Sequence, residues 1–214
     1  MNRKSRSSKS RRQDPQFARN EYRGENRYDI ASLRMSNVDD LSLDILSCKN
    51  IKENDIANVH KAVSFFSDDV DIVKFYNRFD LYVHRLAQYL HVFTPDFSLL
   101  TDMPIWMQLS NVAKSRWCGR KWQDLGLSVI PTVSWSTKES YDFAFLGLAV
   151  GTAVAVSTLS VRSNSDTRIL FLEGYNKMME RVQPRTIYCY DKPFPEMKGN
   201  VVYLDYLKAT GRAR

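Results

Sequence analysis

This sequence predicts an α/β fold built on a mainly parallel sheet of five or six strands with helical crossovers, and three observations lead there. Short apolar runs opening at residues 61, 91, 128, 152 and 186 recur at intervals of roughly 24 to 37 residues, the length of a strand plus its crossover. The stretches between them carry apolar residues at helical spacing. One run, Thr152 to Thr158, is continuous and made of small residues, as in a strand covered on both faces. Strand and helix signals in this alternation select a parallel sheet, either open or rolled into a partial barrel.

The elements follow in order. Tyr28 to Val59 is weakly patterned, with a short helix near Asp39 to Leu46. Lys61 to Phe66 is the first strand. From about Val70 to Leu90, Ile72, Phe75, Tyr76, Phe79, Tyr82, Val83, Leu86, Tyr89 and Leu90 recur at the spacing of a single helix, with Asp68 or Asp69 as its cap. His91 to Thr94 is the second strand, ended by Pro95-Asp96-Phe97-Ser98. Pro104 opens the next helix with Thr101 or Asp102 as cap, and Gly126 stops it after Leu125. Ser128 to Trp135 is the third strand, and Pro131 inside it marks an edge, a bulge or a strand end. Thr152 to Thr158 is the fourth. A helix from about Thr167 to Gln183, capped by Asp166 and ended by Pro184, leads to the fifth strand, Thr186 to Tyr190. Val201 to Leu204 is a sixth. The chain therefore divides into a basic arm (1–27), an N-terminal extension (28–60), an α/β domain (61–206) and a C-terminal tail (207–214).

Composition narrows the class. With 214 residues, 43% of them hydrophobic, the chain can bury a substantial core. The longest apolar stretch, Phe143 to Val156, is interrupted by Gly147, Gly151 and Thr152, so no membrane-spanning helix is expected. Cys48, Cys118 and Cys189 are far apart and odd in number, which fits free thiols in a reducing cytoplasm. They form no zinc-ligand pattern with His60, His84 and His91.

The net charge of +7 is concentrated at one end. Residues 1 to 28 hold nine basic and three acidic residues, 9 − 3 = +6, and the rest of the chain is left at +1. Such a segment has too few apolar groups to offset its ordering entropy and should be disordered alone. Arg3, Lys4, Arg6, Lys9, Arg11 and Arg12 would give it affinity for nucleic acid by counterion release, without sequence readout. Phe17 and Tyr22 are candidates to stack on bases. A solubilising tail, or a contact with an acidic protein, is the alternative.

In a parallel α/β protein, ligands bind beyond the carboxyl ends of the strands. That rule singles out Asp68 and Asp69, Asp96 and Ser98, Trp135 and Ser136, Ser157 and Thr158, and Tyr190 and Asp191. Asp69 and Asp96 are the candidate acid/base pair, or the ligands of a divalent metal. Ser98, Arg116, Trp135, Ser157 and Tyr190 are the candidate ligand-binding residues. The competing reading makes Asp68, Asp69 and Asp102 ordinary helix caps. Asp96 lies several residues before its helix, so it stands between a site and a turn. Arg116 to Trp122 interleaves basic and aromatic residues, as single-strand nucleic-acid binders do, yet on a helix it divides into a buried tryptophan face and a solvated basic one. The chain has no GxxxxGK[ST] loop, GxGxxG, HExxH, CxxC pair or GxSxG elbow.

Several of these segments resemble a domain-of-unknown-function family of bacteria, phages and mobile elements. They are Thr94-Pro95-Asp96-Phe97-Ser98, Asp102-Met103-Pro104, Asn111, Arg116 and Val129-Ile130-Pro131-Thr132-Val133-Ser134-Trp135, together with Ser140-Tyr141-Asp142-Phe143, Gly174-Tyr175 and Ile187-Tyr188-Cys189-Tyr190. The resemblance covers about residues 61 to 192. It departs at Leu159-Ser160 and at Asp191, where the family often carries glycine. The resemblance implies a mobile-element context and no particular reaction. Two functions follow as expectations: a nucleic-acid-associated protein with a polar pocket, or an enzyme on a small molecule or nucleotide. A non-catalytic modulator of a host protein is a third.

Overall fold

In the computed structural model, which describes residues 21–210, seven strands form two parallel sheets rather than one sheet of five or six. The first contains β1 (Ile45–Ser47), β2 (Ala62–Ser64), β3 (His91–Phe93) and β4 (Val129–Ile130), side by side in that order. The second contains β5 (Val154–Ser157), β6 (Ile187–Tyr190) and β7 (Val201–Leu204). Every ladder is parallel, and each strand pairs with its successor within its sheet.

The division falls at Thr132. Pro131 faces the second sheet, and the β3–β4 ladder stops because the next rung, the Thr132 N–H to the Thr94 carbonyl, is not made. Thr132 and Thr94 replace the missing rung with side chains. The Thr132 N–H donates to Thr94 Oγ1 and the Thr132 hydroxyl donates to the Thr94 carbonyl, both at 2.8 Å. The backbone thus freed turns to the second sheet: the Ala155 N–H donates to the Pro131 carbonyl and the Val133 N–H to the Ala155 carbonyl, each at 2.8 Å. This bridge links the sheets. Among the described residues no ladder closes β7 onto β1. The helix α6 (Tyr206–Thr210) packs against β1 there.

The crossovers are helical: α1 (Asp69–Asn77) with α2 (Phe79–Leu86) after β2, α3 (Ile105–Asp124) after β3, α4 (Tyr141–Ala144) after β4, and α5 (Ser165–Val182) after β5. Two expectations are corrected. The helix expected near Asp39 to Leu46 is absent, and Ile45–Ser47 is a strand instead. Three residues buried on every side offer neither a period of two nor one of 3.6. The single helix expected over Val70 to Leu90 is broken at Arg78, whose φ of −120° and ψ of 46° are not helical. The apolar stripe runs unbroken through the joint, so periodicity alone is blind to it. The Asp166 cap is also replaced: Asn164 Oδ1 accepts from the N–H groups of Asp166 and Thr167 at 2.7 and 3.3 Å. The helix ends with Gln183 in the left-handed region, just before Pro184.

The core has two main parts. Ile187 and Cys189 of β6, with Val154 and Val156 of β5, pack beneath α5 on Phe171, Tyr175 and Met178. The alternate residues Tyr188 and Tyr190 face the first sheet, where the Tyr190 ring stacks 4.7 Å from Phe66 and Tyr188 lies 6.3 Å from Phe93. A period of two on β6 therefore serves two cores at once. At the N-terminus, Tyr22 donates its hydroxyl to Asp124 at 2.8 Å, with Arg120 and Lys121 over its ring. It is thus occupied against α3 and is not presented as a base-stacking ring. Arg3, Lys4, Arg6, Lys9, Arg11, Arg12 and Phe17 lie outside the described residues.

Candidate functional site

Beyond the carboxyl ends of β2, β3, β4 and β5 lies a pocket of about 600 Å³. Its position follows from topology, because all four strands point the same way and their exit loops converge. Ser67 and Asp68 come from the β2 exit, residues 96–102 from the β3 exit, residues 133–136 from the β4 exit, and Ser157, Ser160 and Val161 from the β5 exit. Thr167, Leu170 and Phe171 of α5 complete the wall. Six serines, two threonines and three aspartates share the lining with Phe97, Trp135, Phe171 and aliphatic groups. Among the described residues, no lysine, arginine or histidine lines it.

Asp96 is the chemically unusual member. Its Oδ1 is sealed from solvent and has no hydrogen-bond partner. Burial pushes the carboxyl up to about 7; the Ser134 hydroxyl bonded to it pulls the other way, the Asp69 charge raises it further, and Arg116 lowers it. A carboxyl that titrates near neutrality exchanges a proton readily in either direction.

The loop bearing Asp96 is held from several sides. Asp69 Oδ1 accepts from both the N–H and the hydroxyl of Ser98, at 3.0 and 3.1 Å. Asp68 stands at the N-cap of α1 and its side chain accepts no capping hydrogen bond, while Asp69, in the first turn, spends its Oδ1 on Ser98. From α3, Asn111 Nδ2 donates to the Ser98 carbonyl at 2.8 Å, and Gln108 Nε2 donates to the carbonyls of Leu100 and Met103 at 3.1 and 2.8 Å. Gln108 Oε1 in turn accepts the Ser136 hydroxyl, joining the β3 and β4 exits.

Arg116 sits beneath this loop, buried, and does not line the pocket. Its guanidinium donates to the carbonyls of Leu146, Thr132 and Ala144 at 3.1, 2.9 and 2.9 Å. Burial lowers it to about 10 while Asp96 acts in the opposite sense, so it stays charged at neutral pH.

Trp135 forms one wall. Its ring packs on Phe171 at 5.2 Å and lies over Gly174, where a Cβ would come within 2.2 Å of the indole Cδ1. Gly174 is what allows α5 to approach a tryptophan so closely. Of the residues singled out by the strand-exit rule, Asp68, Asp96, Ser98, Trp135, Ser136 and Ser157 line one cavity. Asp69 stands behind Ser98. Tyr190 is buried against Phe66 and Tyr206 and lies away from the cavity. Asp191 is engaged by Arg162 at 2.6 Å and adopts a φ of 73°, a conformation that favours glycine. Glycine is the residue the resemblance leads one to expect there. Among the described residues, no group of three or more His, Cys, Asp or Glu side chains is placed to hold a metal.

Sequence reasoning missed Gln108, Ser134, Ser160 and Phe171. Gln108 and Phe171 lie within helices whose spacing reads only as packing, and the serines carry no motif. Their one common signal is proximity to strand exits.

Comparison with known proteins places this geometry in a lineage. The chain is 36% identical over 162 residues to the gene 1 protein of Mycobacterium phage L5, covering 71% of each chain. It is 36% identical over 151 residues to the gene 1 protein of Mycobacterium phage D29, covering 67% of this chain and 56% of that one. No solved structure matches. A family model described as a domain of unknown function, DUF4417, matches residues 22–207, which take in both sheets and the pocket between their exits, and to that family the chain belongs.

Proposed function

We propose that this domain binds a small polar organic molecule in the pocket at the strand exits, with Asp96 as the group that gives or takes a proton. The observation that carries this reading is a buried carboxyl with one oxygen left without a hydrogen-bond partner, placed where four strand exits converge. Leaving a buried polar oxygen without a partner costs about 1–3 kcal/mol, and a fold retains such a cost most readily where function requires it. The cavity size falls within the range of small-molecule sites, and its aromatic wall with a few fixed polar groups matches their make-up. Asp69, Gln108 and Asn111 serve as positioning residues for the loop, and Arg116 as the cation beneath it.

The test is Asp96→Asn, which keeps the shape and removes the ionisation. The variant should fold with undiminished stability and lose ligand binding or turnover. A variant that instead unfolds, or that binds as the parent does, would show that Asp96 is structural.

A second reading concerns residues 1–20, and its supporting observation is their charge. They hold seven basic residues against Asp14. We infer that this segment gives the protein sequence-independent affinity for nucleic acid, consistent with relatives that are phage proteins. Binding to duplex DNA and to single-stranded RNA should weaken steeply between about 50 and 200 mM salt and collapse when residues 1–20 are deleted. Salt-insensitive binding, or none, would remove this reading. Cys48, Cys118 and Cys189 are buried and none is in a disulfide, which suits a reducing compartment such as the cytoplasm.

A further inference from the structure

Resting on the pocket reading above, we infer that the ligand is an uncharged, hydroxyl-bearing ring compound of the nucleoside class and carries no phosphate. The charge of the lining is the first ground. Asp68 and Asp102 stand exposed at the mouth and Asp96 lies deeper, with no cationic side chain among the described lining residues to offset them. A phosphate brought there would meet the Asp68 and Asp102 carboxylates at the mouth and no arginine or lysine, the residues that ordinarily bind it.

The helix starts give the second ground. In parallel α/β proteins, phosphates are commonly held by the N–H groups and dipoles of helices that begin at this rim. Here the starts of α1 and α5 are already supplied with negative charge in their first turns. Asp69 and Asp71 lie in the first turn of α1, Asp102 precedes α3, and Asp166 lies in the first turn of α5. Two N–H groups at the head of α5 are also taken up by Asn164 Oδ1. The positive ends of α1 and α5 are thus offset from within the chain.

The third ground is what the walls do offer. Trp135, Phe171 and Phe97 line it with aromatic rings, and the hydroxyls not already donating within the chain, those of Ser67, Thr101, Ser157 and Ser160, suit the sugar hydroxyls and ring heteroatoms of a nucleoside. Asp96 in its neutral form is a hydrogen-bond donor as well as an acceptor, which an obligate carboxylate is not.

The experiment is calorimetric titration of the full chain with adenosine, guanosine, cytidine and uridine, and in parallel with their 5′-monophosphates, at pH 6. At least one nucleoside should bind, and its monophosphate should bind about tenfold more weakly or worse; Asp102→Lys should narrow that gap. Monophosphates binding as tightly as nucleosides, or no nucleoside binding at millimolar concentration, would overturn the assignment. Asp96→Asn and Trp135→Ala separate the two levels of inference. If a monophosphate binds best and both variants abolish it, the pocket stands and the ligand class is wrong. If a nucleoside binds and neither variant weakens it, the site itself is elsewhere.

Discussion

Asp69 Oδ1 accepts two hydrogen bonds from Ser98, one from its backbone N–H and one from its hydroxyl, and so ties the first turn of α1 to the loop after β3. The carboxylate nearest the start of α1 is thereby committed to shaping the pocket, while Asp96, two residues before Ser98, is left with an unpartnered oxygen. The two aspartates also feel each other, because the Asp69 charge raises the Asp96 carboxyl.

Removing that charge should be visible at Asp96. Asp69→Asn should lower the Asp96 titration midpoint from about 7, as followed by carboxyl-carbon NMR. Asp69→Ala, which also removes the acceptor, should cost about 1–3 kcal/mol in urea denaturation. An unmoved Asp96 midpoint in Asp69→Asn would break the proposed coupling.

The raised Asp96 carboxyl carries a pH signature whose sign is fixed. The folded state holds the proton up to about 7 whereas the unfolded chain releases it near 3.8, so between these values the native state binds more protons. Its stabilising contribution is present below pH 3.8 and lost as the pH rises through 7. Asp96→Asn should match the parent near pH 4 and become progressively more stable than it towards pH 7, by roughly 1.4 kcal/mol per pH unit at most. Parallel stability curves for the two proteins would refute this.

Arg116→Met should destabilise strongly. Three backbone carbonyls lose their donor inside the core, and Asp96 loses the cation that lowers it. A loss of about 3–5 kcal/mol is expected by chemical denaturation, with Arg116→Lys intermediate because an ammonium cannot reproduce the guanidinium fork. A change under about 1 kcal/mol would mean that the carbonyls find other donors.

Gly174→Ala should act through Trp135. The added methyl would lie 2.2 Å from the indole, so the ring must shift away from α5, in the direction of the cavity. We expect a loss of about 1–3 kcal/mol, a changed tryptophan emission maximum and weakened ligand binding. Unaltered emission would show that α5 retreats instead.

Much of the fold was legible from residue order because a strand covered on both faces and an amphipathic helix each leave a periodic trace. The run Val154 to Ser157 and the stripe of α5 both did so. The break at Arg78 and the strand Ile45–Ser47 left none: the first interrupts no stripe, and the second is too short to have a period. Likewise Asp96, Ser98, Trp135 and Ser157 were readable as strand-exit residues, since the carboxyl-end rule depends only on strand direction.

The sequence by itself determined the parallel βα rhythm, the charge asymmetry and the strand exits at which polar groups collect. Only the tertiary structure decided that the strands divide into two sheets at Thr132, that Asp69 is spent on Ser98, that Arg116 lies beneath the pocket and that Tyr190 turns away from it. The reason is physical. Periodicity records which face of an element is covered, whereas burial, hydrogen-bond partnership and pKa depend on atoms brought together from residues far apart in the chain.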